Sequence, residues 1–177
     1  MKKLSFKVLC AVMASVLVVC CALCGCGGET ATTPTGGAQG AASAANYEFS
    51  YNGTEIKMNA PAADIIAKLG EPLSYFEAES CAFEGIDKTY TYQSFIVTTY
   101  PKDGADYISS VRLTNDTVNT PEGVCIGSTM DSVNTAYKTS FAQGATGGDI
   151  KGGNCTLSFV FDAASGNVTS IKYNANI

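Results

Sequence analysis

The chain has 177 residues, 46% hydrophobic and 15% charged, with a formal charge of −5, 8 Cys, no His and no Trp. Without histidine it lacks the commonest general base, proton shuttle and imidazole zinc ligand, so a Ser–His or Cys–His nucleophile is excluded by composition. An acidic chain with a single arginine, Arg112, lacks the basic patch that neutralises phosphates, and no nucleic-acid partner is expected.

Residues 1–7 carry Lys2, Lys3 and Lys7 without an acid, and residues 8–23 follow as a charge-free, strongly apolar stretch of 16. A positive start before an apolar core shorter than a bilayer span of about 20 residues is the pattern of a secretory signal peptide. The stretch ends Leu23-Cys24-Gly25-Cys26. This resembles the bacterial lipobox, with an aliphatic residue three before the cysteine and a small one immediately before it. Cys20, Cys21 and Cys24 have no Gly, Ala or Ser in front of them and do not fit. The resemblance implies cleavage after Gly25, a diacylglyceryl group on the Cys26 sulfur and lipid anchoring on the extracytoplasmic side of a cell membrane. An uncleaved N-terminal anchor helix is the competing reading, and either holds the domain at a membrane.

Removing residues 1–25 takes three Lys and no acid, so −5 becomes −8, and it takes Cys10, Cys20, Cys21 and Cys24. With Cys26 lipidated, only Cys81, Cys125 and Cys155 remain, enough for at most one intramolecular disulfide. Cys125–Cys155 is the preferred pair, whose loop closure would contribute about 3–4 kcal/mol in the chain-entropy model. Three small buried hydrophobes are an equal alternative. No C-x-x-C pair persists after cleavage, so neither a metal site nor a cofactor is expected.

Residues 27–46 are mostly Gly, Ala, Thr and Ser with one Pro and one charge, Glu29, and read as a tether of about 25 Å mean reach. From Tyr47 onward, short Thr-, Tyr- and Val-rich runs alternate with Gly, Asp and Asn turns. Two helical stretches align at an offset of 68 residues, 56–70 over 124–138. Ser128 with Asp131 makes a capping-box-like start, and Pro61 takes the matching first helical position. Ala62, Ile65 and Leu69 form one apolar stripe; Met130, Val133 and Tyr137 form the other. Gly70-Glu71-Pro72 stops the first helix. Two hairpins align at an offset of 60: residues 95–100 and 107–113 around a turn at 101–106, then 155–161 and 168–173 around a turn at 162–167. Residues 75–79 and 89–94 add strand material to the first half. The expected fold is α+β: two tandem helix–antiparallel-sheet repeats, 47–120 and 121–177, sharing a sheet after the signal peptide (1–25) and the lipidated linker (26–46).

The helix–strand–hairpin unit carrying I-G-S-T-M-D-S-V-x-x-x-Y, from Ile126, resembles the tandem repeats of β-lactamase inhibitor protein. It also resembles the single repeat of the small lipoprotein that supports outer-membrane protein assembly. The runs at 80–92, 99–111 and 120–127 resemble small lipoproteins of Gram-positive gut anaerobes. The expected function is non-catalytic binding of a protein or ligand at the cell surface; the resemblance to the inhibitor implies the alternative, an inhibitor of a secreted enzyme. The chain departs from the inhibitor in having no Trp and in leaving Cys81 alone in its first half.

For chemistry, Glu77 and Glu79 alternate on a strand and share one side, a carboxylate pair in principle but a solvated strand face in the simpler reading. A binding face is the better candidate: Tyr90 and Tyr92 from one side of a strand, Tyr100 and Tyr107 flanking the next hairpin, and Asp103 at its tip. Tyrosine combines apolar area with a polar end, which suits interfaces. The competing reading places these rings in a core short of aliphatics. No catalytic residue is expected.

Overall fold

The computed structural model describes residues 45–177; the expected signal peptide, Cys26 and the tether up to residue 44 lie outside the described residues. In chain order the elements are β1 (Phe49–Tyr51), β2 (Thr54–Ile56), α1 (Ala62–Leu69), β3 (Ser74–Glu79), β4 (Ile86–Thr91), β5 (Phe95–Lys102) and β6 (Ala105–Leu113). Then come α2 (Met130–Tyr137), β7 (Gly147–Lys151), β8 (Cys155–Phe161) and β9 (Val168–Ala175).

Turn chemistry explains the two tightest hairpins. Asn52-Gly53 joins β1 to β2 with φ of 48° and 78°, and Asp103-Gly104 joins β5 to β6 with φ of 52° and 78°. Two successive positive φ values match the right-handed strand twist, and Asn-Gly and Asp-Gly tolerate them best. The turn expected at 101–106 is thus only two residues long, and the strands run through Pro101 and Asp106. Helix α1 starts after Pro61, which offers no side-chain cap, and ends at Gly70, whose φ is 79°. Helix α2 is capped by Thr129, whose Oγ1 accepts from the Ser132 N–H at 3.2 Å. Ser128, the expected cap, instead accepts from the Cys125 N–H at 3.0 Å.

The architecture corrects the expectation of two helix–sheet repeats. The molecule is mostly antiparallel β: one seven-stranded sheet in the order β3-β4-β5-β6-β9-β8-β7, a separate β1–β2 hairpin and two eight-residue helices. Four sheet strands follow α1 and three follow α2, so the halves are unequal. Neither half has a core of its own. Val111 of β6 pairs with Tyr173 of β9 across the seam between them, and one cluster of buried side chains spans both sides. The hairpin falls within the expected first repeat (47–120) but was not foreseen as an element of it, and its Phe49 and Ile56 are fully buried in that cluster. Burying such side chains contributes about 1.5–3 kcal/mol each.

Register explains how the core is laid out. A single row, Ile150–Leu157–Tyr173–Val111–Val97–Tyr90–Tyr75, crosses all seven strands on one face. Both helices and the β1–β2 hairpin pack on that face, α2 through buried Met130, Val133 and Tyr137, α1 through buried Ala62 with Ile65 and Leu69 half-buried. The cover ends before β3, so the row passes from full burial in the centre to 49% exposure at Tyr75. No helix among the described residues is long and apolar enough to cross a membrane.

Candidate functional site

The opposite face of the sheet carries a different row: Lys151–Thr156–Asn174–Ser110–Thr98–Thr89–Phe76. Five successive strands place a hydroxyl or amide there, because strict two-residue alternation sends each polar neighbour of a core residue to this side. The side chains bond to one another: Thr98 Oγ1 lies 2.7 Å from both Ser109 Oγ and Ser110 Oγ, and Asn174 Nδ2 donates to Ser158 Oγ at 3.1 Å. The adjacent row sets Arg112 directly opposite Lys172 on the central strand pair. The two helices and the β1–β2 hairpin pack on the other face, and on this one the β3–β4 loop folds over the hairpin end through Phe83.

Its hairpin end is aromatic. A β-bulge leaves Ser109 as an extra residue in β6 opposite Thr98/Thr99. Thr99 and Ile108 therefore stay in the core, and Tyr100 and its partner Tyr107 turn to the open face. The Tyr100 ring packs 4.9 Å from Phe83, carried by the β3–β4 loop, and 5.9 Å from Tyr107. Tyr100 Oη donates to Asn59 Oδ1 at 3.2 Å, and Lys102 Nζ stands 5.9 Å from the centre of the Tyr107 ring. Phe83, Glu84, Pro101, Lys102, Asp103 and Gly104 line an adjoining groove of about 570 Å³.

The structure therefore divides the expected Tyr face. Tyr100, Tyr107 and Asp103 come together at one end of the open face, with Tyr100 buried, Tyr107 half-buried and Asp103 exposed at the tip. Tyr90 and Tyr92 belong to the other side. Tyr90 lies between Val97 and Tyr75 in the core row, with its ring 5.1 Å from Tyr75. Tyr92, past the end of β4, is buried and stacks on Phe95 at 4.9 Å. These two rings extend a core in which Tyr137 and Tyr173 are also buried. Glu77 and Glu79 do share one side of β3, and both are solvent-exposed on that edge strand.

The cysteine expectation is also corrected, because all three thiols are free. Cys125 Sγ lies 3.5 Å from Ser128 Oγ, whereas Cys155 is buried and its thiol donates to the Tyr47 carbonyl at 3.3 Å. Cys81 is exposed, so the alternative of three buried hydrophobes fails as well. Among the described residues no group of three or more His, Cys, Asp or Glu side chains could hold a metal ion.

Sequence reasoning missed the most exposed apolar surface. Leu73, Phe76, Tyr75 and Ile86 are 75%, 66%, 49% and 38% exposed, and all lie on the β3–β4 wing. The signal was the pair Tyr75-Phe76: adjacent residues of a strand point to opposite faces, and a sheet covered on one side cannot bury both.

No family model matches the chain, and no curated protein matches it. Among solved structures, a cysteine-rich secretory protein from Staphylococcus aureus is similar over 75% of this chain and 49% of its own length, with 15% identity and a TM-score of 0.52. The chain spans about half the length of that protein. The likeness is one of fold.

Proposed function

We propose that the protein is a membrane-anchored extracytoplasmic lipoprotein, held through Cys26, whose domain binds a partner protein non-catalytically at the cell surface. The observation that supports binding is the one-sided cover of the sheet. Its core face is closed by two helices and a hairpin, while the other face presents a hydroxyl–amide ladder with the Tyr100–Tyr107–Phe83 cluster at one end. A ladder of hydroxyl and amide groups beside aromatic rings offers donors, acceptors and apolar area together, which suits a protein contact surface. The tether then supplies reach from the lipid.

Crosslinking in the native host followed by partner identification tests the binding reading; failure to recover an extracytoplasmic partner would overturn it. Mass spectrometry of the mature N-terminus tests the anchor, and an unmodified Cys26 would remove it. A second reading, inhibition of a secreted enzyme, draws on Asp103, an exposed acid at a tight hairpin tip. Nanomolar inhibition of any member of a β-lactamase panel, lost in Asp103→Ala, would put it first.

A further inference from the structure

Strand β3 is an edge of the seven-stranded sheet, and all six of its residues are exposed. It carries no Pro, no Lys and no bulge, which are common guards of a sheet edge. The Ser80 N–H bonds inward to the Gly85 carbonyl at 2.9 Å. Two-residue alternation of an antiparallel ladder therefore aims the N–H and C=O groups of Tyr75, Glu77 and Glu79 away from β4. An extended segment laid along β3 would find these groups ready to pair, with Phe76 exposed on one side of it and the two carboxylates on the other.

Charge decides the occupant. Glu77 lies opposite Lys88 on β4, but the Lys88 ammonium is held by Asp106 at 2.6 Å, which leaves the wing acidic. A second copy fits poorly. Two β3 strands pair antiparallel with like faces together only by bringing four carboxylates, Glu77 and Glu79 from each copy, onto one face. The tether is no better matched, since residues 27–46 carry one Glu and no Lys or Arg. We infer that β3 takes up, by strand addition, an extended segment of a partner protein that alternates Lys or Arg with apolar residues. The cations would lie opposite Glu77 and Glu79, and the apolar residues beside Phe76. This inference rests on the non-catalytic binding reading and names its docking edge and partner chemistry.

The test uses the isotope-labelled, full-length lipidated chain in micelles and two probe peptides, one alternating lysine with valine, the other alternating glutamate with valine. The lysine peptide alone should slow amide exchange at Tyr75, Glu77 and Glu79. Glu77→Lys should weaken that binding about tenfold, through lost and reversed cross-strand charge. Glu77→Pro removes an outward N–H without touching the ladder to β4 and should abolish it. Thermal unfolding checks the fold of both variants, and Glu77→Lys still decides if the proline variant does not fold. Equal binding of both peptides, protection on the open face alone, or no protection would overturn the inference. So would β3 protection that grows with protein concentration in the absence of peptide. In the native host, a photo-crosslinker at Phe76 should capture an alternating basic segment. Capture from Ser158 on the open face only would overturn strand addition and leave the binding function standing. Capture from neither position would overturn both.

Discussion

Tyr92 is 7% exposed, stacks on Phe95, and its Oη finds no hydrogen-bond partner among the described residues. An unpaired buried hydroxyl costs more than it contributes. Tyr92→Phe should therefore leave stability unchanged or raise it by up to about 1 kcal/mol, read from the denaturant midpoint, and should not alter partner binding. A loss of stability would reveal a partner for the hydroxyl. Cys155 offers a pH test. Burial pushes its thiol up from 9.0 to about 11, so the folded state holds the proton more tightly than the unfolded one. That stabilisation is whole below pH 9 and is lost as the pH rises through about 11. Burial raises Tyr137 and Tyr173 as well, which carries the loss further into alkali. Urea midpoints should fall across this range; a flat profile would contradict it. Thiol labelling of the native protein should reach Cys81 first and Cys155 only on unfolding. The sequence offered burial of Tyr92 and of Cys155 only as one of two alternatives, because a Tyr on a strand reads the same whether it faces a core or a partner.

At the scale of elements, β7 depends on two glycines. A Cβ at Gly148 would overlap the Phe141 ring, which itself packs on Phe161 at 5.4 Å. Gly148→Val should cost about 1–3 kcal/mol, because the ring must leave its place; an unchanged denaturant midpoint would show that Phe141 can move freely. The same glycines hid the strand, since Gly147-Gly148-Asp149 reads as a turn. Helix α2 should lose about 1 kcal/mol in Thr129→Ala, as the Ser132 N–H loses its cap. An equal loss in Ser128→Ala alone would move the cap back to the residue the sequence favoured. Both helices were legible from their apolar spacing, and their first turns were not. Capping depends on the entry angle of the chain, which adjacent Ser and Thr residues leave open.

For the whole molecule, the β6–β9 seam makes one core of two sequence halves. Far-UV dichroism and the near-UV signal of the tyrosines should therefore give coincident midpoints, and a chain of residues 47–120 alone should not fold. Separate midpoints, or a folded fragment, would contradict a shared core. The repeat reading failed here for a physical reason. Local similarity between two helices and two hairpins sets which segments are helix and strand. The number of strands per half, and the side on which the N-terminal hairpin lands, depend on contacts far apart in the chain.

The eight cysteines and the absent histidine were decided by the sequence itself, because composition and the order of residues at an N-terminus require no folding to be read. Composition alone excludes histidine chemistry, and the Leu23–Cys26 run alone carries the lipid-anchor expectation. Alternation along each strand likewise separates polar from apolar residues before any pairing is known. Which of those two faces is covered was decided only in three dimensions, by where α1, α2 and the β1–β2 hairpin come to rest. The same packing sent Tyr92 to the core and Tyr100 to the open face, and it left β3 uncovered at the edge. Side-chain exposure is a property of neighbours, and for a sheet those neighbours come from distant parts of the chain.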